Sequence, residues 1–263
     1  RIVSIMVPNK DNAFCDVVLG YDNLAQYADT VNSPSDFGAA IGRYANRINK
    51  GKLTVGGKTI QLPQNNFGHC LHGGPSGWQY QVYDATQVND TTLQMSIDSK
   101  DGDNNFPGNV KATVTYTLLS NNTLDIKYEA TTDKETVINM TNHSYFNLSG
   151  NPSQPGTNMV LYINADNFTP TDSTYMTTGE IKPVYGTPMD FNKDHALYQS
   201  IADTTFTQIK NAGGYDHNWC LNTYKNGKGD DNKVAASLYS PESGILLQVY
   251  TNEPGIQVYT GNF

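Results

Sequence analysis

The densest group of side chains able to do chemistry lies in residues 137–150, VINMTNHSYFNLSG. As an extended strand, whose side chains alternate between faces, this segment sets Ile138, Met140, Phe146 and Leu148 on one side and Asn139, Thr141, His143, Tyr145 and Asn147 on the other. A half-buried strand ordinarily turns charged residues outward, whereas this polar side offers amides, a hydroxyl, a phenol and an imidazole. Such groups donate and accept hydrogen bonds without carrying a fixed charge, which suits a neutral polyhydroxylated ligand such as a sugar. His143 sits at the centre, and a reference pKa of about 6.5 makes histidine the natural proton donor or acceptor near neutral pH. A histidine alone serves equally as a hydrogen-bonded member of a sheet, so its sequence surroundings decide between the two.

Three further stretches carry groups of the same kind. QNNFGHCLHGGPSGW holds His69, His72 and the pair Gly73-Gly74, which lets backbone adopt positive φ or approach a ligand closely. His69 and His72 are spaced like metal ligands, yet no further ligand completes a plausible set, so no metal is expected. His72 is expected to point from this loop into a cleft, with His69 structural or exposed. Trp78 is either a platform for a sugar ring or a core side chain. In GRYANRI, Asn46 and Arg47 can offer an amide and a planar fork of donors to paired hydroxyls. Arg43 and Arg47, two of only three arginines, share that short loop; a surface arginine is the plainer reading of each. In GGYDHNW, Asp216 is either a turn residue or a carboxylate accepting hydrogen bonds from neighbouring hydroxyls. Near the end, Gln257 falls on the same face as Tyr259, opposite Ile256 and Val258.

The elements that must position these groups are strands. Thr, Val, Tyr and Asn abound, 23 Gly and 12 Pro supply turns, and runs of helical character are scarce. Residues 2–8 and 15–19 suit a hairpin, LTVGGKTIQL is a hairpin turning at Gly56-Gly57, and residues 110–118 and 124–128 form a long antiparallel pair turning at Asn121-Asn122. An all-β chain of this length commonly forms one domain, and residues 1–263 are expected to be one. The net charge of −8 and the few arginines exclude nucleic acid as a partner. Cys15, Cys70 and Cys220, odd in number and without CxxC spacing, signal no disulfide framework and are expected to be buried thiols. No run of about 18 apolar residues spans a membrane. The chain begins at Arg1 inside a strand pattern and stops in another, so both ends are expected to continue; a cytoplasmic location is expected, with export left open.

In this order the motifs GRYANRI, LHGG, FPGN, TNHSYFNLSG, GYDHNW and EPGIQVYTGNF resemble the aldose 1-epimerase (galactose mutarotase) family, across almost the whole chain. The resemblance implies a β-supersandwich of packed antiparallel sheets, a monosaccharide substrate such as galactose or glucose, no cofactor, and interconversion of α and β anomers; monomer or dimer is left open. It implies that His143 is the general acid protonating the ring oxygen and that His72 assists it. Asn46, Arg47, Asp216 and Gln257 would hold sugar hydroxyls. The family's general base is a glutamate from a motif after YTGNF, which places it C-terminal to residue 263; Glu253, ahead of Pro254, is read as structural. The alternative of another class is a non-catalytic carbohydrate-binding domain on the same scaffold. A glycoside hydrolase would need two carboxylates flanking the bond, which Asp216 alone does not supply, and a hexose-phosphate epimerase would need more basic side chains.

Overall fold

The clearest alternation in the sequence gives the longest strands. Val110–Leu119 pairs antiparallel with Thr123–Thr132 on one side and with Thr92–Ser99 on the other, and Asp84–Asn89 completes a four-stranded sheet. Val110, Ala112 and Val114 point to one face and are fully buried with Ile97 and Trp78, while Lys111 faces solvent. Burying each such side chain contributes roughly 1.5–3 kcal/mol for the larger ones, and the period of two sends them all to one side. The structure is a computed structural model that describes residues 1–32 and 35–263. It resolves into two compact units, one made of residues 1–2 and 20–144, the other of residues 3–19 and 145–263.

The first unit also contains the expected hairpin Lys52–Val55 with Lys58–Gln61. Its turn residues Gly56 and Gly57 have φ of 57° and 71°, the doubly left-handed turn whose twist matches a hairpin. Leu53, Leu62, Cys70 and Phe106 form a core beneath it.

In the second unit two four-stranded antiparallel sheets share one core. One runs His195–Ala196, Val160–Ile163, Ala236–Tyr239, Leu246–Val249; the other Lys182–Pro183, Asn167–Thr169, Asp216–Cys220, Gly255–Tyr259. Ile163 and Ala236 from the first pack with Phe168 and Trp219 from the second, joined by Met189, Phe191 and Tyr215. The two polar tips in this core are satisfied: Tyr215 donates to the Pro188 carbonyl at 2.8 Å and the Trp219 indole N–H to the Met189 carbonyl at 2.9 Å. Helices are brief, Leu24–Ala28 with a capping box from Asn23 and Gln26, and Thr207–Ala212 closed by Gly213. Among the described residues no helix is long and apolar enough to cross a membrane. Cys70 is buried, but Cys15 and Cys220 are only half-buried thiols.

Residues 137–150 do not form the single alternating strand that their sequence suggests. Only Thr141–Asn142 is strand; Ile138 is 38% exposed, while Asn147, expected on the wet face, is 9% exposed. The partners change along the segment. Asn139 bonds Arg43 and Ala45, Thr141–Asn142 pairs with Ala40–Ile41, and Asn147 donates to Val17. Side-chain turns at Asn142 and Asn147, each oxygen accepting the N–H two residues on, re-aim the chain in between.

His217 lies wholly buried in the second unit. Its Nδ1 accepts the Asp216 N–H at 3.1 Å, its Nε2 has no partner, and burial pushes it down to about 4. The unfolded chain, titrating near 6.5, therefore binds the extra proton between about pH 6.5 and 4, so stability falls as pH drops through that window, by up to about 3 kcal/mol. Urea midpoints measured across it should decline, and His217→Gln, which keeps an acceptor but cannot ionise, should flatten the decline. An equal slope in the variant would assign the effect elsewhere.

Candidate active site

The backbone of His143 is held at both its N–H and its carbonyl by one neighbouring stretch, Gly38–Ala39. Thr141–Asn142 pairs with Ala40–Ile41, and the ladder continues as His143 N–H donates to the Ala39 carbonyl at 2.9 Å and Gly38 N–H to the His143 carbonyl at 3.1 Å. The imidazole therefore projects from a clamped turn rather than from a long strand. Facing it edge-on is the His72 ring, with centroids 5.2 Å apart and planes at 89°.

His72 owes its place to an exchange with Asn46. The His72 N–H donates to the Asn46 carbonyl at 3.1 Å, and the Asn46 N–H returns a bond to His72 Nδ1 at 2.9 Å. Both residues have positive φ, 50° for His72 and 66° for Asn46, a conformation Asn tolerates better than most residues. The following Gly73 has φ of 80°, and a Cβ there would stand 2.1 Å from the Gly42 carbonyl oxygen, so the LHGG motif needs glycine at this position. Because Nδ1 accepts from a backbone amide, the ring's proton sits on Nε2 and the ring is neutral. Burial pushes its pKa down to about 3, helped by His143 and Arg47. His72 is thus a hydrogen-bond donor through Nε2 and not a reservoir of protons.

Arg47, in the short strand Arg47–Ile48 that pairs with Cys70–Leu71, is oriented by Asn66, whose side-chain oxygen accepts from its Nε at 3.2 Å and its Nη2 at 2.9 Å. The Asn46 side-chain oxygen accepts the Arg47 N–H at 2.8 Å. Arg43, which shares the loop, is different: it is 2% exposed and donates into the carbonyls of Ser99, Lys100, Pro107 and Gly108. His69 is structural, its Nδ1 accepting the Lys50 N–H at 2.9 Å, and Trp78 is a core side chain and not a ligand platform.

Asp36 carries no sequence signal beyond a turn residue, yet one of its carboxylate oxygens and a ring nitrogen each of His72 and His143 lie within 4.8 Å of one another. This group suits proton handling better than a cation, because the protonated Nε2 of His72 has no lone pair for a metal and its Nδ1 is already engaged.

The second unit brings Asp216 and Gln257 together. Asp216 opposes Tyr259 and Asn218 opposes Gln257 across paired strands, and the Gln257 amide donates to Asp216 Oδ1 at 2.9 Å. Burial raises the Tyr259 hydroxyl, and the Asp216 carboxylate raises it further; Tyr145 packs on its edge at 5.9 Å. The sequence-derived residues therefore fall in two groups, His72, His143, Asn46 and Arg47 in one unit, Asp216 and Gln257 in the other.

The site is thus an imidazole set against a second, neutral imidazole on an antiparallel-sheet scaffold, with an amide and a guanidinium beside them, the arrangement of an uncharged-ligand site with groups able to exchange protons. A profile of the family described as Aldose 1-epimerase matches residues 1–263, and the chain belongs to that family, isomerases that interconvert the α and β anomers of free aldoses. Galactose mutarotase of Rattus norvegicus is 39% identical over 262 residues, 100% of this chain and 72% of that protein. Aldose 1-epimerase of Escherichia coli (strain K12) is 38% identical over 263 residues, 100% of this chain and 73% of that protein. Among solved structures, a GalM/aldose epimerase homologue from C. elegans superposes with a TM-score of 0.87 at 30% identity, covering 97% of this chain and 74% of that one. Galactose 1-epimerase from Lactobacillus acidophilus NCFM gives 0.82 at 29% identity, with 98% and 73% covered. The all-β, galactose mutarotase-like fold expected from the sequence is the fold of this chain.

Proposed function

We propose that residues 1–263 act as one aldose 1-epimerase domain in which His143 gives a proton to the ring oxygen of a free aldohexose while the anomeric hydroxyl loses one. Mutarotation proceeds slowly in water, so the enzyme needs only to place an acid and a base about the anomeric carbon; each contributes on the order of 10²–10⁴. The observation carrying this reading is the perpendicular imidazole pair in which His72 is pinned neutral by the Asn46 N–H. It leaves His143 as the acid and makes the Nε2–H of His72 a steady donor to the same oxygen region. The base is the glutamate expected from the family's later motif. Asn46, Arg47, Asp216 and Gln257 hold hydroxyls, the carboxylate accepting and the guanidinium donating.

Polarimetry of α-galactose and α-glucose with the full-length protein tests the assignment. Acceleration of anomer exchange is expected with both sugars; binding without acceleration would instead indicate a carbohydrate-binding domain. Asp216→Ala removes a charged acceptor worth about 1.5–3 kcal/mol, so KM should rise roughly tenfold or more with a smaller change in kcat. An unaltered KM would remove Asp216 from the binding set.

A further inference from the structure

We propose that Asp36 is a positioning residue for the reaction, a carboxylate that stabilises the protonated form of His143 and so keeps that imidazole loaded as an acid. This rests on the reading of His143 as general acid.

Three observations lead there. Asp36 belongs to the same tight turn that clamps His143: its carbonyl accepts the Ala39 N–H at 3.0 Å, while Ala39 and Gly38 supply the two backbone bonds to His143. The Asp36 backbone is thereby tied to the stretch that bonds His143, and a carboxylate oxygen lies within 4.8 Å of a ring nitrogen of His143. Its Oδ1 is buried and has no hydrogen-bond partner, so this oxygen faces protein and is not presented to a substrate as a base. Within the three-residue cluster His72 cannot be the cation, since its Nδ1 accepts from the Asn46 amide; a single proton on the cluster belongs between Asp36 and His143.

The charges around the pair agree. Burial pushes the Asp36 carboxyl up, and His143 and the Arg1 guanidinium pull it back towards the ionised form. That attraction is mutual, because a charge which favours carboxylate is favoured by it in turn. Arg1 is committed to the carbonyls of Ser35, Phe37 and Gln79. The Tyr80 hydroxyl is raised by burial and by Asp36, and Arg47 acts on His72.

The test follows each imidazole by NMR across pH in the full-length protein, beside the pH profile of kcat/KM for mutarotation. Asp36→Asn should lower the His143 midpoint by about one pH unit, the size expected for loss of one charge about 5 Å away at intermediate dielectric. Activity above that midpoint should fall by up to about tenfold, and Asp36→Glu should restore part of both. An unmoved midpoint in Asp36→Asn overturns the proposal, even if the rate falls equally at all pH values. Should Asp36→Asn not fold, the ¹³C signal of the Asp36 carboxyl in the unmodified protein must follow the His143 titration and lose that step in His143→Asn; a signal blind to it overturns the proposal too. The acid assignment fails separately, if His143→Asn retains its full rate.

Discussion

His143→Asn lowers kcat for anomer exchange by at least about a hundredfold and leaves KM within a few-fold. Asparagine keeps a polar amide of similar reach but transfers no proton at neutral pH, so the general-acid contribution, on the order of 10²–10⁴, disappears. The backbone of residue 143 keeps its own anchors in the variant, its N–H to the Ala39 carbonyl and its carbonyl to the Gly38 N–H. His72→Asn is the comparison. It removes a neutral donor and the acceptor of the Asn46 N–H, so it should disturb the loop that also carries Arg47 and raise KM, with a smaller fall in kcat than His143→Asn. Polarimetry on both variants, with circular dichroism to establish folding, checks the ordering. Equal losses would mean that the two rings act as one unit, and an unchanged rate in His143→Asn would leave the chain a binder of sugars.

What the sequence disclosed depended on how local the governing interactions are. The Gly56-Gly57 hairpin and residues 110–132 are legible because turn and alternation lie within a few residues of each other, and both formed as read. His72 and His143 stood out through their neighbours, Gly73-Gly74 for one and amides with a phenol for the other, but that their rings meet at 5.2 Å is set by the fold and not by either local stretch. Residues 137–150 misled, since a period-two pattern presumes one continuous ladder, whereas this segment bonds residues 38–45 up to His143, first parallel at Asn139 and then antiparallel, and passes to residues 17–19 from Tyr145 onward. Asp36 stayed hidden because its role is set by the distant His143 and His72, while its own neighbours read as an ordinary turn. Asn66, which orients Arg47, was missed for the same reason.

Arg43 and Arg47, four residues apart and identical in type, show why side-chain identity alone is insufficient. Arg47 lies half-buried with its guanidinium donating to the Asn66 amide, whereas Arg43 enters the interior and joins the loop bearing Asn46 to the FPGN loop. Its Nη2 donates to the carbonyls of Lys100 at 2.9 Å and Gly108 at 2.8 Å, its Nη1 to Pro107 at 2.7 Å, and its Nε to Ser99 Oγ at 3.1 Å. Ser99 Oγ in turn donates to Asp103 at 2.6 Å. Burial lowers the Arg43 pKa, and Asp103, Asp101 and Asp133 oppose that shift, so the cation is compensated by a ring of carboxylates and carbonyl dipoles. Arg43→Met keeps much of the volume but leaves several buried acceptors unpaired, each costing about 1–3 kcal/mol where water cannot reach it, and the carboxylates lose their counter-charge. A loss of about 4 kcal/mol or more is expected, read as a lower urea midpoint. Arg43→Lys should recover little of it, because an ammonium has three donors at one point where the guanidinium spreads five over a plane. Near-complete recovery by lysine would show that charge alone sustains the junction; failure of both variants means that the loop holding Asn46, and through it the neutral His72, depends on the geometry of the fork.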